Sequence, residues 1–340
     1  MWAEESNFYH IYPLGLCSAN AKNRFNGEIK HNLYKIEEQI EHLKTLGISA
    51  VYFGPIFESS VHGYDTADYY KIDSRLGTND DFRELCLKLH NNGIKIVVDG
   101  VFNHVGRDFW AFKDVKINKN NSQYCDWFYI DFSLNNSYND GFSYQDWEGC
   151  NDLVKLNLKN SKVKEHLLNA VKYWVEVFNI DGLRLDVAYC LDEDFIKELH
   201  IFSKALKSDF WLLGEAVHGD YNRLANPEML DSVTNYECYK GLYSSFNDKN
   251  MFEIAHSVKR QESLYKGKHL YSFLDNHDVS RIASSLNNKN WLKHIYSLMF
   301  TLPGVPSIYY QSEFGIEGAK SQGDRALRPS SKFFNYNESY

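Results

Sequence analysis

The sequence predicts a (β/α)8 barrel of the TIM type, an α/β fold, with a subdomain inserted after its third strand. Three observations point there. Short β-branched or aromatic runs alternate with longer stretches of helical period, eight such runs can be counted, and four of them are followed by acids or imidazoles. In such barrels the loops after the strands share one mouth, where chemistry is placed.

The first run, 8–13, is followed by a helix over 33–43, whose apolar residues Leu33, Ile36, Ile40 and Leu43 fall on one face. Gly47 ends that helix. A second strand follows at 48–53, a helix over 79–92 closed by Asn91-Asn92-Gly93, and a third strand at 94–98. Residues 105–157 break the rhythm: they are rich in Asn, Asp, Tyr and Trp with weak periodicity, as expected of an inserted subdomain. Regularity returns with a helix over 161–178, a strand ending at Asp186, a helix over 193–206 and a strand at 210–213. Strands at 232–234, 270–274 and 307–310, with helices over 249–264 and 289–301, complete the count. The predicted organisation is thus 1–104 and 158–329 as the barrel, 105–157 as the insertion and 330–340 as a short tail.

The stretch Gly182-Leu183-Arg184-Leu185-Asp186 carries the first chemical signal. Residues two apart on a strand share a face, so Arg184 and Asp186 point the same way, and a buried strand has no packing use for either. A cation beside an acid keeps the acid ionised, as a nucleophile requires. Alone, the segment reads equally well as a buried ion pair. The other strand ends add Asp99-Gly100-Val101-Phe102-Asn103-His104, Gly214-Glu215 and Asp275-Asn276-His277-Asp278. Any one of these could be a helix cap or a satisfied polar group; four at one face are not explained that way.

Composition narrows the ligand. Aromatics make up 16% of the chain, which suits stacking on the flat faces of sugars or bases. A formal net charge of −8 without a Lys/Arg run argues against nucleic acid and leaves sugars. The six cysteines are scattered without C-x-x-C spacing, as free thiols in a reducing compartment would be. The N-terminus lacks the pattern of a signal peptide and no window approaches a membrane span, so a cytoplasmic protein with no membrane partner is expected.

These four segments, in this order, resemble the conserved regions of the alpha-amylase family of glycoside hydrolases, and the likeness runs from Tyr9-His10-Ile11-Tyr12-Pro13 to Pro303-Gly304-Val305-Pro306-Ser307-Ile308-Tyr309-Tyr310. The resemblance implies that Asp186 is the nucleophile, Glu215 the general acid/base, and Asp278 the acid that binds sugar hydroxyls and helps distort the ring. It implies that Arg184 orients Asp186, that His104 and His277 contact the sugar, that Tyr64 of Gly63-Tyr64-Asp65 stacks on it, and that Asp99 and Asn103 are structural within the site. The chemistry needs these types: one carboxylate must be ionised at carbon one while another holds a proton for the departing oxygen, so their environments must differ. Apolar sequence neighbours of Glu215 favour its protonated form, and a carboxylate separation of roughly 5 to 5.5 Å, with retention of configuration, is expected.

Leu153-Val154-Lys155-Leu156-Asn157 is similar to the segment that marks neopullulanases, cyclomaltodextrinases and maltogenic amylases, which implies α-1,4 or α-1,6 bonds of maltodextrins, cyclodextrins or pullulan as substrates. Val217 stands where that group usually has Trp. Transglycosylation or isomerisation on the same site, and a non-catalytic carbohydrate-binding relative, are the alternatives. No cofactor is required on this reading. A structural calcium is left open: Asn103 resembles a calcium ligand, but Ala188-Tyr189-Cys190 replaces the family's Lys-His pair. Past Arg325-Ala326-Leu327-Arg328-Pro329 the family continues with an eighth helix and a β-sandwich domain, neither of which is expected here. That would leave the flank of the first and eighth strands to be covered by the tail or by a second copy in a homo-oligomer.

Overall fold

The computed structural model describes residues 1–330; the predicted tail lies outside the described residues from 331 onward. The barrel strands are β1 (Phe8–Ile11), β2 (Ala50–Phe53), β3 (Lys95–Gly100), β4 (Gly182–Leu185), β5 (Trp211–Gly214), β6 (Ser232–Val233), β7 (Tyr271–Phe273) and β8 (Val305–Tyr309). All pair in parallel, in the order β6-β5-β4-β3-β2-β1-β8-β7, and a parallel bridge from Thr234 to Tyr271 closes the ring. Nearly every residue of these strands is buried, which is why they read as continuous apolar runs.

The outer layer consists of α1 (Ile40–Thr45), α2 (Asn79–Asn91), α3 (Ser161–Phe178), α4 (Glu193–Leu206), α5 (Tyr236–Asn247), α6 (Phe252–Leu264) and α7 (Leu292–Thr301). Their ends follow local chemistry. Thr78 and Asp81 form a reciprocal capping box on α2, Asn160 caps α3, and Gly93 (φ +74°) lets the chain turn after α2. The helix expected over 33–43 is instead two pieces, Tyr34–Glu37 and Ile40–Thr45, separated by right-handed turn residues Glu38 and Gln39.

One helix was not legible. α5 buries Cys238, Leu242 and Phe246, four residues apart, and Asn235 accepts from the Cys238 N–H at its start. Its Tyr, Ser and Gly content is poor in helix formers, so packing rather than propensity makes it helical.

The inserted stretch carries its own antiparallel sheet, His104–Gly106 with Cys150–Lys155 and Asp146–Trp147, beside the helix Trp110–Asn118 and a small hairpin of Ile130–Asp131 with Ser143–Tyr144. His104 thus begins the insertion's sheet while sitting just past β3. The flank of β1 and β8 is not bare: Ile11, Ile308 and Tyr310 are buried, and Tyr310 Oη donates to the Pro329 carbonyl.

Candidate active site

Strand register fixes the centre. Arg184 on β4 lies opposite Asp99 on β3, so both side chains enter the mouth at one level. Arg184 Nη1 donates to Asp99 Oδ1 at 2.9 Å and to Asp186 Oδ1 at 2.8 Å, and its Nη2 lies 2.9 Å from Glu215 Oε2. One buried guanidinium therefore serves three carboxylates. Burial acts to lower Arg184, but the charges of Asp99 and Glu215 outweigh it and raise the guanidinium well above its ordinary value. Tyr52 and Tyr64 also donate to Asp99 Oδ2, at 2.8 and 3.2 Å.

The turn from β4 is strained. Val187 adopts left-handed φ +41°, ψ +48°, an outlier for a β-branched residue, and in that pose its N–H donates to Glu215 Oε2 at 2.9 Å. The apolar setting expected for Glu215 from its sequence neighbours is thus replaced by an Arg and a backbone donor. Burial pushes the Asp186 carboxyl well above the usual range; Arg184 opposes this, and Glu215 and Asp99 add to it.

Asp278 sits at the edge of the mouth. His277 Nε2 lies 2.9 Å from its Oδ2 and Arg328 Nη2 3.2 Å from its Oδ1. Desolvation would raise this acid, but His277 and Arg328 outweigh it and hold Asp278 well below the usual carboxylate range. His277 is stacked on Tyr64, with ring centroids 5.3 Å apart, and also hydrogen-bonds the Tyr64 hydroxyl.

Tyr64 is presented by a tight loop. Asp65 accepts from the N–H groups of Val61, His62 and Gly63, and a Cβ on Gly63 (φ +89°) would meet Pro55 Cγ at 2.6 Å. Only glycine fits. His104, pushed down to about 3 by burial and next by His62, is neutral; its Nε2 is 3.9 Å from Asp186 Oδ2 and has no hydrogen-bond partner among the described residues. Asn103 is buried beneath the mouth with its amide nitrogen 3.1 Å from His104 Nδ1.

Asp186, Glu215, Asp278, Tyr64, His104 and His277 line one cleft of about 550 Å³, while Arg184, Asp99 and Asn103 lie beneath it. That volume takes a small oligosaccharide segment. Sequence reasoning missed Arg328, although the stretch 325–329 stood out, and Trp147, which lines the cleft with its ring 5.9 Å from His104. A Trp in a polar insertion was the available signal for the latter.

Among the described residues no three Asp, Glu, His or Cys side chains gather to hold a metal ion, and it is the amide nitrogen of Asn103 that is engaged with His104. No helix of the described residues is long and apolar enough to cross a membrane.

Paired acids and a cleft of about 550 Å³ thus sit at the carboxyl-terminal mouth of a closed parallel barrel, the face where such barrels place chemistry. The chain belongs to the alpha-amylase family: the profile of the alpha-amylase catalytic domain matches residues 11–337. It is 36% identical over 350 residues to a cyclomaltodextrinase of Thermoanaerobacter pseudethanolicus, covering 93% of this chain and 58% of that protein. It is 33% identical over 345 residues to a maltogenic alpha-amylase of Bacillus acidopullulyticus, covering 95% and 58%. The chain thus spans a little over half the length of these relatives. Among solved structures it superposes on a cyclomaltodextrinase with TM-score 0.88 at 30% identity, covering 99% of this chain and 60% of that one. It also superposes on the cyclic α-maltosyl-(1→6)-maltose hydrolase of Arthrobacter globiformis, in complex with that sugar, with TM-score 0.87 at 27% identity, covering 100% and 79%.

Proposed function

We propose that this site hydrolyses α-glucosidic bonds of maltodextrins, cyclodextrins and related oligosaccharides with retention of configuration, acting on α-1,4 and also α-1,6 links. The observation that carries the reading is the shared guanidinium: Arg184 holds Asp186 and Glu215 on its two terminal nitrogens. That arrangement favours the short carboxylate spacing, roughly 5 Å, used for double displacement.

Asp186 attacks carbon one while Glu215 protonates the departing oxygen; Glu215 then takes a proton from water, which releases the sugar from Asp186. Burial pushes the free Asp186 carboxyl up, Arg184 opposes this, and Glu215 adds to it. The reaction needs Asp186 as the anion, and Arg184 is the cation that stands beside it for that step. Asp278, kept anionic by His277 and Arg328, accepts from sugar hydroxyls on the nucleophile's side. Tyr64 offers a ring face, and the free Nε2 of His104 reaches toward the same sugar. The names of the relatives support the substrate class, and an intracellular maltogenic amylase of Bacillus subtilis, 32% identical, supports a cytoplasmic setting.

The test is product chromatography and proton NMR of maltoheptaose, β-cyclodextrin and pullulan digests, beside Glu215→Gln. The reading expects α-configured products and a rate lower by at least about 10²-fold in the variant. Binding of maltodextrin without cleavage by the native chain would contradict it.

A further inference from the structure

Below the cleft, inside the barrel, lies a second and much smaller cavity of about 20 Å³. It shares Tyr236 and His277 as walls with the cleft above, and His10, Tyr52, Arg184 and Asn276 also face it. One water needs roughly 10–15 Å³ by the same kind of measure, so the space takes a single molecule.

Two polar atoms border it without a partner among the described residues: His10 Nε2 and His277 Nδ1. Both residues are more than nine-tenths buried. Their rings meet edge to face with centroids 5.3 Å apart. His10 is not free to turn away, since its ring stacks on Tyr52 at 4.2 Å and leans on Tyr309 at 4.7 Å. A buried imidazole nitrogen left unpaired loses its hydration with nothing in return, and one water in the shared space restores a partner to both.

We infer that His10 is a positioning residue for the reaction proposed above: through one buried water it holds the His277 ring, and thereby Asp278, in place. The far nitrogen of the same ring, His277 Nε2, is the one that reaches Asp278 Oδ2 and the Tyr64 hydroxyl. The water donates to whichever of the two facing nitrogens carries a lone pair and accepts from the one that carries a proton. With a proton on Nε2 facing Asp278, Nδ1 carries the lone pair to which the water donates, and that bond keeps the ring from turning.

The inference rests on the glycosidase reading only for its kinetic part, so the test has two arms. A high-resolution crystal structure of the wild-type chain is expected to show one ordered water within hydrogen-bond reach of both His10 Nε2 and His277 Nδ1; an empty space, or a water bound to one ring only, overturns the link whether or not the protein is active. For kinetics on maltoheptaose, His10→Phe keeps the aromatic packing and removes both nitrogens, while His10→Gln returns an amide near the Nε2 position. The expected result is a kcat about tenfold lower in His10→Phe with KM within about twofold, a shifted pH profile, and recovery to within about threefold in His10→Gln. Unchanged kcat and pH profile in a folded His10→Phe overturns the inference, as does an equal loss in both variants that follows their melting temperatures. A wild-type chain that cleaves nothing counts against the glycosidase reading, and the ordered water alone then decides the link.

Discussion

The two ends of strand β4 hold buried carboxylates in opposite surroundings. At its amino-terminal end Asp181 receives Lys207 Nζ at 2.6 Å, His90 Nε2 at 2.7 Å, Lys95 Nζ at 2.9 Å and the Ile96 N–H at 2.9 Å. Burial alone would raise this acid, but His90, Lys207 and Lys95 overcome it and hold Asp181 well below the usual range. Five residues later the ratio inverts. At the mouth a single Arg184 serves Asp99, Asp186 and Glu215, and Asp186 is pushed up. One end has donors to spare and the other has acids to spare. The first arrangement stabilises; the second gathers three carboxylates around one cation at the mouth, the kind of strained charge cluster that marks a working site.

Breaking the mouth should give the largest effect. Asp186→Asn is expected to lower kcat on maltoheptaose by about 10⁴-fold or more, read by steady-state kinetics. Arg184→Met should abolish activity as well and cost about 3–5 kcal/mol in urea unfolding, because three buried acids lose their common partner. At the other end Asp181→Asn should cost about 3 kcal/mol while kcat stays within about twofold, since nothing in the cleft touches it. Lys95→Met, which removes one of the two lysines from a half-exposed position, should cost no more than about 1 kcal/mol.

The two ends also differ in sign with pH. Asp181, depressed in the fold, contributes stability above the ordinary carboxylate pKa of roughly 3.9 that is lost as pH falls through its lower folded value. Asp186, raised in the fold, is most favourable below that value, and its contribution is lost as pH rises through the raised one. Denaturant midpoints measured from about pH 3 to 8 should therefore show a shallower acid loss in Asp181→Asn and a shallower loss on the rising side in Asp186→Asn.

The sequence made the mouth more legible than the base. Acids and imidazoles after apolar runs are conspicuous because a buried strand has no packing use for them, so Arg184, Asp186, Glu215 and Asp278 could be grouped before any coordinates. Asp181 was passed over, since an Asp before a Gly reads as a turn, and its partners come from positions 90, 95 and 207, which only the folded chain brings together. Arg328 escaped for the same reason, reaching Asp278 across 50 residues. α5 was lost to its Tyr, Ser and Gly content, and the water-sized space between His10 and His277 depends on ring positions that periodicity does not encode.

The most direct test of the contrast is the unfolding free energy of Asp186→Asn at neutral pH, measured in urea beside the wild type and Asp181→Asn. An acid whose charged form is disfavoured by the fold should be replaced by its neutral isostere without loss, so Asp186→Asn is expected to be at least as stable as the wild type while Asp181→Asn is several kcal/mol weaker. A loss of about 3 kcal/mol in both variants would contradict the account, for it would mean that Arg184 satisfies Asp186 as fully as Lys95, Lys207 and His90 together satisfy Asp181.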